Sequence, residues 1–85
     1  MNSIEKSIQI LNYFSSMERS VGLTEISSRL SLPKSTVHRI LKSFLKYDLI
    51  YQDKETSKYR LGFRVLEYSN SFYKSFDLRQ IKNQF

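Results

Sequence analysis

LPKSTVHRILKSFLKY, residues Leu32–Tyr47, has the spacing of one helix with two incompatible faces. Val37, Ile40, Leu41, Phe44 and Leu45 recur at the i, i+3, i+4 interval of a buried stripe. Ser35, Arg39, Lys42 and Lys46 fall within about 60° of one another at roughly 100° per residue, on the opposite side. Pro33 suits the first helical position, where no backbone donor is missed. One flank anchors the helix in a core while the other offers hydroxyls, an arginine and lysines. A polar helix start followed by a cationic stripe fits a DNA major groove. A solvated surface helix also carries Lys and Arg, and composition alone favours that plainer reading. The flanking segments reverse the balance.

Immediately upstream, Thr24 is a good N-cap, and Glu25–Leu30 reads as a helix of under two turns. Ile26 and Leu30 would face the core, with Ser27, Ser28 and Arg29 outward. Ser31-Leu32-Pro33 is then the turn of a helix-turn-helix unit. Leu23 begins a short extended piece before it, after a polar loop over Met17–Gly22. Further upstream, Asn2 to about Ser16 is a helix in which Asn2 and Glu5 form a capping box. Its expected buried stripe is Ile4, Ile8, Leu11 and Phe14, with Ile10 beside it.

Downstream, Asp48 ends the long helix, since Asp tolerates the left-handed conformation. Leu49–Gln52 and Lys58–Leu61 read as two short strands around the polar turn Asp53–Ser57. Two strands directly after such a unit make a wing that would bring Lys54, Lys58 and Arg60 near a phosphate backbone; the plainer alternative is a hairpin with solvated charges. Gly62 breaks the chain. Phe63 to about Phe76 is a further helix, with Val65, Leu66, Ser69, Phe72, Tyr73 and Phe76 along one side. These aromatics either complete the core against the first helix or mark a partner surface. Asp77 restarts with an N-cap-like residue.

The totals agree with this organisation. Eighty-five residues make one small domain with a thin core. No cysteine is present, which excludes disulfides and thiolate metal sites, and the single histidine cannot build a His-rich one. No cofactor is expected. No apolar run approaches the roughly 18 residues of a membrane span. MNSIEKS is too polar to open a signal peptide, so a cytoplasmic protein is expected. The net charge is +6, and residues 33–60 hold seven basic against three acidic side chains, whereas residues 1–32 balance at three each. A localised basic field of that kind attracts a polyanion. Anionic lipid is the competing polyanion, but the apolar side of Leu32–Tyr47 is committed to a core. Asp48, Asp53, Glu55 and Glu67 lie in turns or alone, and no nucleophile–base pair or glycine-rich phosphate loop is visible, so an enzyme is not expected.

Several blocks together resemble the N-terminal DNA-binding domain of the IclR family of bacterial transcription regulators. They are Ser3–Leu11, Leu23-Thr24-Glu25-Ile26, the distinctive Leu32–Leu41 and Tyr59-Arg60-Leu61-Gly62, with Asp77-Leu78-Arg79 similar to that family's linker. Ser31 and Asp48 depart from it, at places where the family often has glycine. The resemblance implies a mainly α fold with a small β-hairpin, a winged helix-turn-helix over residues 1–62 followed by a linker helix over 63–85. It also implies binding of double-stranded operator DNA as a homodimer. Family members usually continue into a larger domain that binds a small-molecule effector, so this chain is expected to be a fragment of such a parent rather than a stand-alone version.

The expected DNA-binding residues are Thr24, Ser28, Lys34, Ser35, Thr36, His38, Arg39, Lys42, Lys46, Lys54, Lys58 and Arg60. Arg39 is the expected base reader, because its fork matches guanine O6 and N7. Ser35 and Thr36 would meet phosphate or base edges, or else cap the helix. Lys42 and Lys46 would touch phosphate. His38 either donates to phosphate or is a half-buried structural residue, and Thr24 and Ser28 touch backbone unless Thr24 only caps. The competing function is a protein-interaction winged helix that works through the aromatic helix 63–76.

Overall fold

The computed structural model describes residues 1–76, in the order α1 (Ser3–Met17), α2 (Leu23–Leu30), α3 (Lys34–Lys46), β1 (Ile50–Gln52), β2 (Tyr59–Leu61) and α4 (Arg64–Ser75). The Asp77 restart and the Asp77-Leu78-Arg79 step lie outside the described residues. A mainly helical chain with one antiparallel hairpin matches the expected fold class. The hairpin pairs Ile50 with Leu61, Tyr51 with Arg60 and Gln52 with Tyr59.

α1 starts as its sequence dictates. The Glu5 amide donates to Asn2 Oδ1 at 2.9 Å, and Glu5 Oε1 accepts from the Asn2 amide at 3.5 Å. Its core contacts are Ile10 and Phe14, with Leu11, Tyr13 and Met17 packed at the margin. The expected stripe is corrected here: Ile4 and Ile8 are 72% and 51% exposed. The buried positions of α1 begin only at Ile10, so the apolar spacing continues past the surface it can cover.

The core gathers Ile10, Phe14, Val21, Ile26, Leu32, Val37, Ile40, Leu41, Phe44, Ile50 and Tyr59. Val21 enters it from the loop. Its backbone exchanges two hydrogen bonds with Tyr59, at 2.8 and 2.7 Å, so a single residue acts as a third strand and ties the hairpin to the helices. The extended residue is therefore Val21, not Leu23, which is already the first residue of α2.

Among the described residues four that are not glycine take the left-handed backbone, Glu18, Ser31, Asp48 and Ser57, and two of them frame α3. Ser31 closes α2 at φ 54°, ψ 45°, and Asp48 follows α3 at φ 61°. Each non-glycine residue held there costs about 1 kcal/mol. Ser27 repays part of this at the first turn, and is half-buried rather than outward: its carbonyl accepts from the Ser31 and Leu32 amides, and its hydroxyl donates to the Leu32 carbonyl. Leu32 is thereby seated in the core, and α3 leaves the turn in a fixed direction.

α4 spans the expected segment but does not complete the core. None of its residues is buried, and Phe63, Leu66, Tyr68, Phe72, Tyr73 and Phe76 are exposed. Its attachment is polar. The Arg64 amide donates to the Asp48 carbonyl at 3.1 Å and its Nε to the Tyr47 carbonyl at 3.2 Å, while its guanidinium pairs within α4 with Glu67 at 2.9 Å.

Candidate nucleic-acid interface

α3 has the two faces that its spacing demands. Val37, Ile40, Leu41 and Phe44 are buried, while Ser35, Arg39, Lys42 and Lys46 are exposed. An open groove of about 580 Å³ on this outward side is lined by Arg39, Lys42, Ser43, Leu45 and Lys46. Ser43, one turn beyond Arg39, was not among the expected contacts, although its spacing from Arg39 could have placed it there. Leu45, half-buried, supplies an apolar strip between the cations. The Lys46 ammonium lies 5.6 Å from the centre of the Tyr47 ring. Lys34 is exposed at the helix start, and His38 is exposed on the flank, which removes its half-buried structural reading.

The beginning of α3 is open. Pro33 occupies the N-cap, one residue earlier than expected, and offers no side-chain acceptor. The first helical bond runs from the Val37 amide to the Pro33 carbonyl, leaving the amides of Lys34, Ser35 and Thr36 to outside acceptors. Neither Ser35 nor Thr36 caps the helix. α2 starts in the same way: Gly22 is its N-cap, without a side-chain bond, so Thr24 is not the cap. Thr24 and Ser28, one turn apart, are both exposed. Two uncapped helix starts with hydroxyls beside them suit an anion.

Among the described residues no acid pairs with the cations of this face. The ion pairs among the described residues are Arg19–Glu25 and Arg64–Glu67, and neither takes in a cation of α3. Lys54 and Lys58 are exposed on the hairpin turn. Arg60 is exposed too, but it lines a shallow groove of about 290 Å³ with Ser15, Glu18 and Arg19 at the end of α1.

Glu25 does a different task. It accepts from the Tyr13 hydroxyl of α1 and from both terminal nitrogens of Arg19, at 3.1 and 2.7 Å, and so pins the first turn of α2. The Arg19 bonds, then that of Tyr13, hold its carboxyl down at about 2. The same bonds push the Tyr13 phenol and the Arg19 guanidinium up. A depressed carboxyl stabilises the fold in full above its ordinary value of 4.5, and the effect is lost as pH falls toward 2. Glu25→Gln is expected to cost about 1 kcal/mol at neutral pH, the partners being partly exposed. Denaturant melts below the ordinary glutamate value should also show a shallower acid loss than in the parent chain. No spacing rule signals this cluster, because its members come from three separate segments.

Comparisons with known proteins agree with this geometry. Residues 3–54 match the IclR helix-turn-helix domain family. The chain is 36% identical over 80 residues to the HTH-type transcriptional regulator XynR of Escherichia coli K12, covering 94% of this chain and 32% of that protein. It is 33% identical over 79 residues to the glycerol operon regulatory protein of Streptomyces griseus, covering 93% and 31%. It therefore spans about a third of the length of these relatives. In fold it superposes on an IclR family transcriptional regulator from Brucella abortus with a TM-score of 0.81, at 22% identity over 95% of this chain and 31% of that one.

Proposed function

The chain belongs to the IclR helix-turn-helix family of DNA-binding transcription regulators, and from that premise we propose that it reads double-stranded operator DNA with α3 in the major groove. The observation that carries this is the outward side of α3, where Arg39, Lys42 and Lys46 share one exposed face and pair with no acid among the described residues. Arg39 reads a base, and Ser43 joins it from the next turn. Lys34, Ser35 and Thr36, with the free amides of the helix start, hold phosphate, as do Lys42, Lys46 and His38. Thr24 and Ser28 touch the backbone from α2. Lys54 and Lys58 reach it from the wing, and Arg60 contributes through the general field. Residues 1–62 form the reading head, and 63–85 link it to an effector-binding domain of a longer parent chain. The work is binding, without catalysis, metal or cofactor, in the cytoplasm. Among the described residues no helix is long and apolar enough to cross a membrane.

The test is titration of labelled duplex by fluorescence anisotropy at several salt concentrations. Log affinity is expected to fall by about 0.9 per contacted phosphate for each decade of salt. Lys54→Ala should weaken all sequences alike and reduce that slope by about 1. Affinity indifferent to salt would reject the reading in favour of a surface used for protein alone.

The binding form is a homodimer. Ile4 and Ile8 of α1 and the aromatics of α4 leave apolar side chains uncovered on a small domain, and a second copy supplies a matching surface. Sedimentation is expected to show mass rising with concentration. A monomer throughout the high micromolar range would place pairing elsewhere in the parent.

A further inference from the structure

The wing tip carries an acid where a polyanion is to be met. Asp53 closes the hairpin: its amide donates to the Lys58 carbonyl at 2.8 Å, and its carbonyl accepts from the Ser57 amide at 2.9 Å. Its Oδ1 accepts from the amides of Glu55 at 2.7 Å and Thr56 at 3.0 Å. Thr56 Oγ1 then accepts from the Lys58 amide at 3.2 Å, and Gln52 Nε2 donates to the Ser57 carbonyl at 3.1 Å. Ser57 turns the chain at φ 62°. The carboxylate is spent on the loop's own backbone, and those bonds hold it below the ordinary aspartate range, the Thr56 bond first and the Glu55 bond second.

Without these bonds the loop would be loose. The paired residues end at Gln52 and Tyr59, and residues 53–58 between them are all exposed, so no core contact orders the tip. A loop ordered only on contact with DNA loses part of its binding energy to that ordering. On the DNA-binding reading above, we propose that Asp53 is a positioning residue for the wing. By folding the tip in advance, its carboxylate presents Lys54 and Lys58 to the phosphate backbone already in place.

This reverses the sign expected from charge alone. Removing an acid beside a polyanion should tighten binding, whether the replacement is Ala or Asn. A positioning role separates the two. Asp53→Asn keeps an oxygen acceptor for both amides and removes the charge, so it should bind at least as well as the parent. Asp53→Ala loses the acceptor and should bind about three- to tenfold more weakly than Asp53→Asn, despite losing the same charge. Its salt slope should stay unchanged, because both lysines remain.

The probe is a duplex recovered by selection from random DNA, read by anisotropy. Backbone ¹⁵N relaxation of residues 54–57 in the free protein forms the second arm. Order there is expected to fall in Asp53→Ala and to be kept in Asp53→Asn. Equal affinity of the two variants, in either direction, overturns the proposal, as does an unchanged loop order in Asp53→Ala. Failure of the parent chain itself to bind any duplex would instead overturn the DNA-binding reading, a distinct result.

Discussion

Arg39→Ala is expected to weaken binding to the preferred operator by about 1–3 kcal/mol, and to do so unevenly across sequences. A guanidinium fork that meets a guanine edge contributes only where that guanine is present. Its loss should therefore leave weak sites almost unchanged while strong ones fall toward them. Arg39 is suited to this because Ile40 and Leu41 beside it are locked in the core, which fixes the direction of the arginine stem. Lys at the same position should not restore the preference, since a point charge cannot make the paired contact. Gel shifts across single-base operator variants provide the measurement. An equal drop at every sequence would make Arg39 a phosphate contact and move base reading to Ser35 or Ser43.

Gly62→Ala is expected to be the more damaging change to the fold, at about 2–3 kcal/mol. A Cβ on Gly62 would stand 2.5 Å from the Asp48 carbonyl oxygen, 3.0 Å from the Ile50 carbonyl carbon and 3.1 Å from the Ile50 nitrogen. All three are backbone atoms, so no side chain can swing aside. The crowded region is also a junction: the Gly62 amide donates to the Leu49 carbonyl at 2.8 Å, and Asp48 holds the start of α4. In a domain of this size each kcal/mol lowers the melting temperature by about 4–8 °C. Gly22→Ala is the matched control, because a methyl there meets nothing within 4 Å. It is expected to cost less than about 1 kcal/mol, the loss of a tolerable N-cap. Similar melts for the two variants would show that the close approach at Gly62 relaxes freely.

Gly62 also shows where sequence reading stops. It looked like a chain break, but its function is clearance, which depends on a neighbour fourteen residues away. Local chemistry was legible. Asn2 and Glu5 form their box, α3 divides into its two faces, and Ser31 and Asp48 take the left-handed backbone at the places where the family often has glycine. Each of these is written within one helical turn or one residue. What escaped depends on the remainder of the molecule. Ile4, Ile8, Leu11 and Phe14 have valid helical spacing, yet spacing does not say where the partner surface ends. Val21 is a strand of one residue, too short for any alternation. Thr24 and Gly22 are about equal as caps by type, and α2 starts from the earlier of the two. For the interface, the residue types and the helix were legible. Ser43 was open to the same reading through its spacing from Arg39, but the outward position of His38 was not, because it follows from how α3 lies on the core.

The polar attachment of α4 has a thermodynamic consequence. Twelve residues with none buried form a helix near the limit of what water tolerates. Its order must then draw on whatever shields its aromatic side. On the proposed homodimer, subunit pairing and operator occupancy would be linked functions, each raising the other's apparent affinity, and saturation curves would steepen beyond a simple hyperbola as protein becomes scarce. On that proposal, the protein concentration at which DNA is occupied would depend on how α4 is covered.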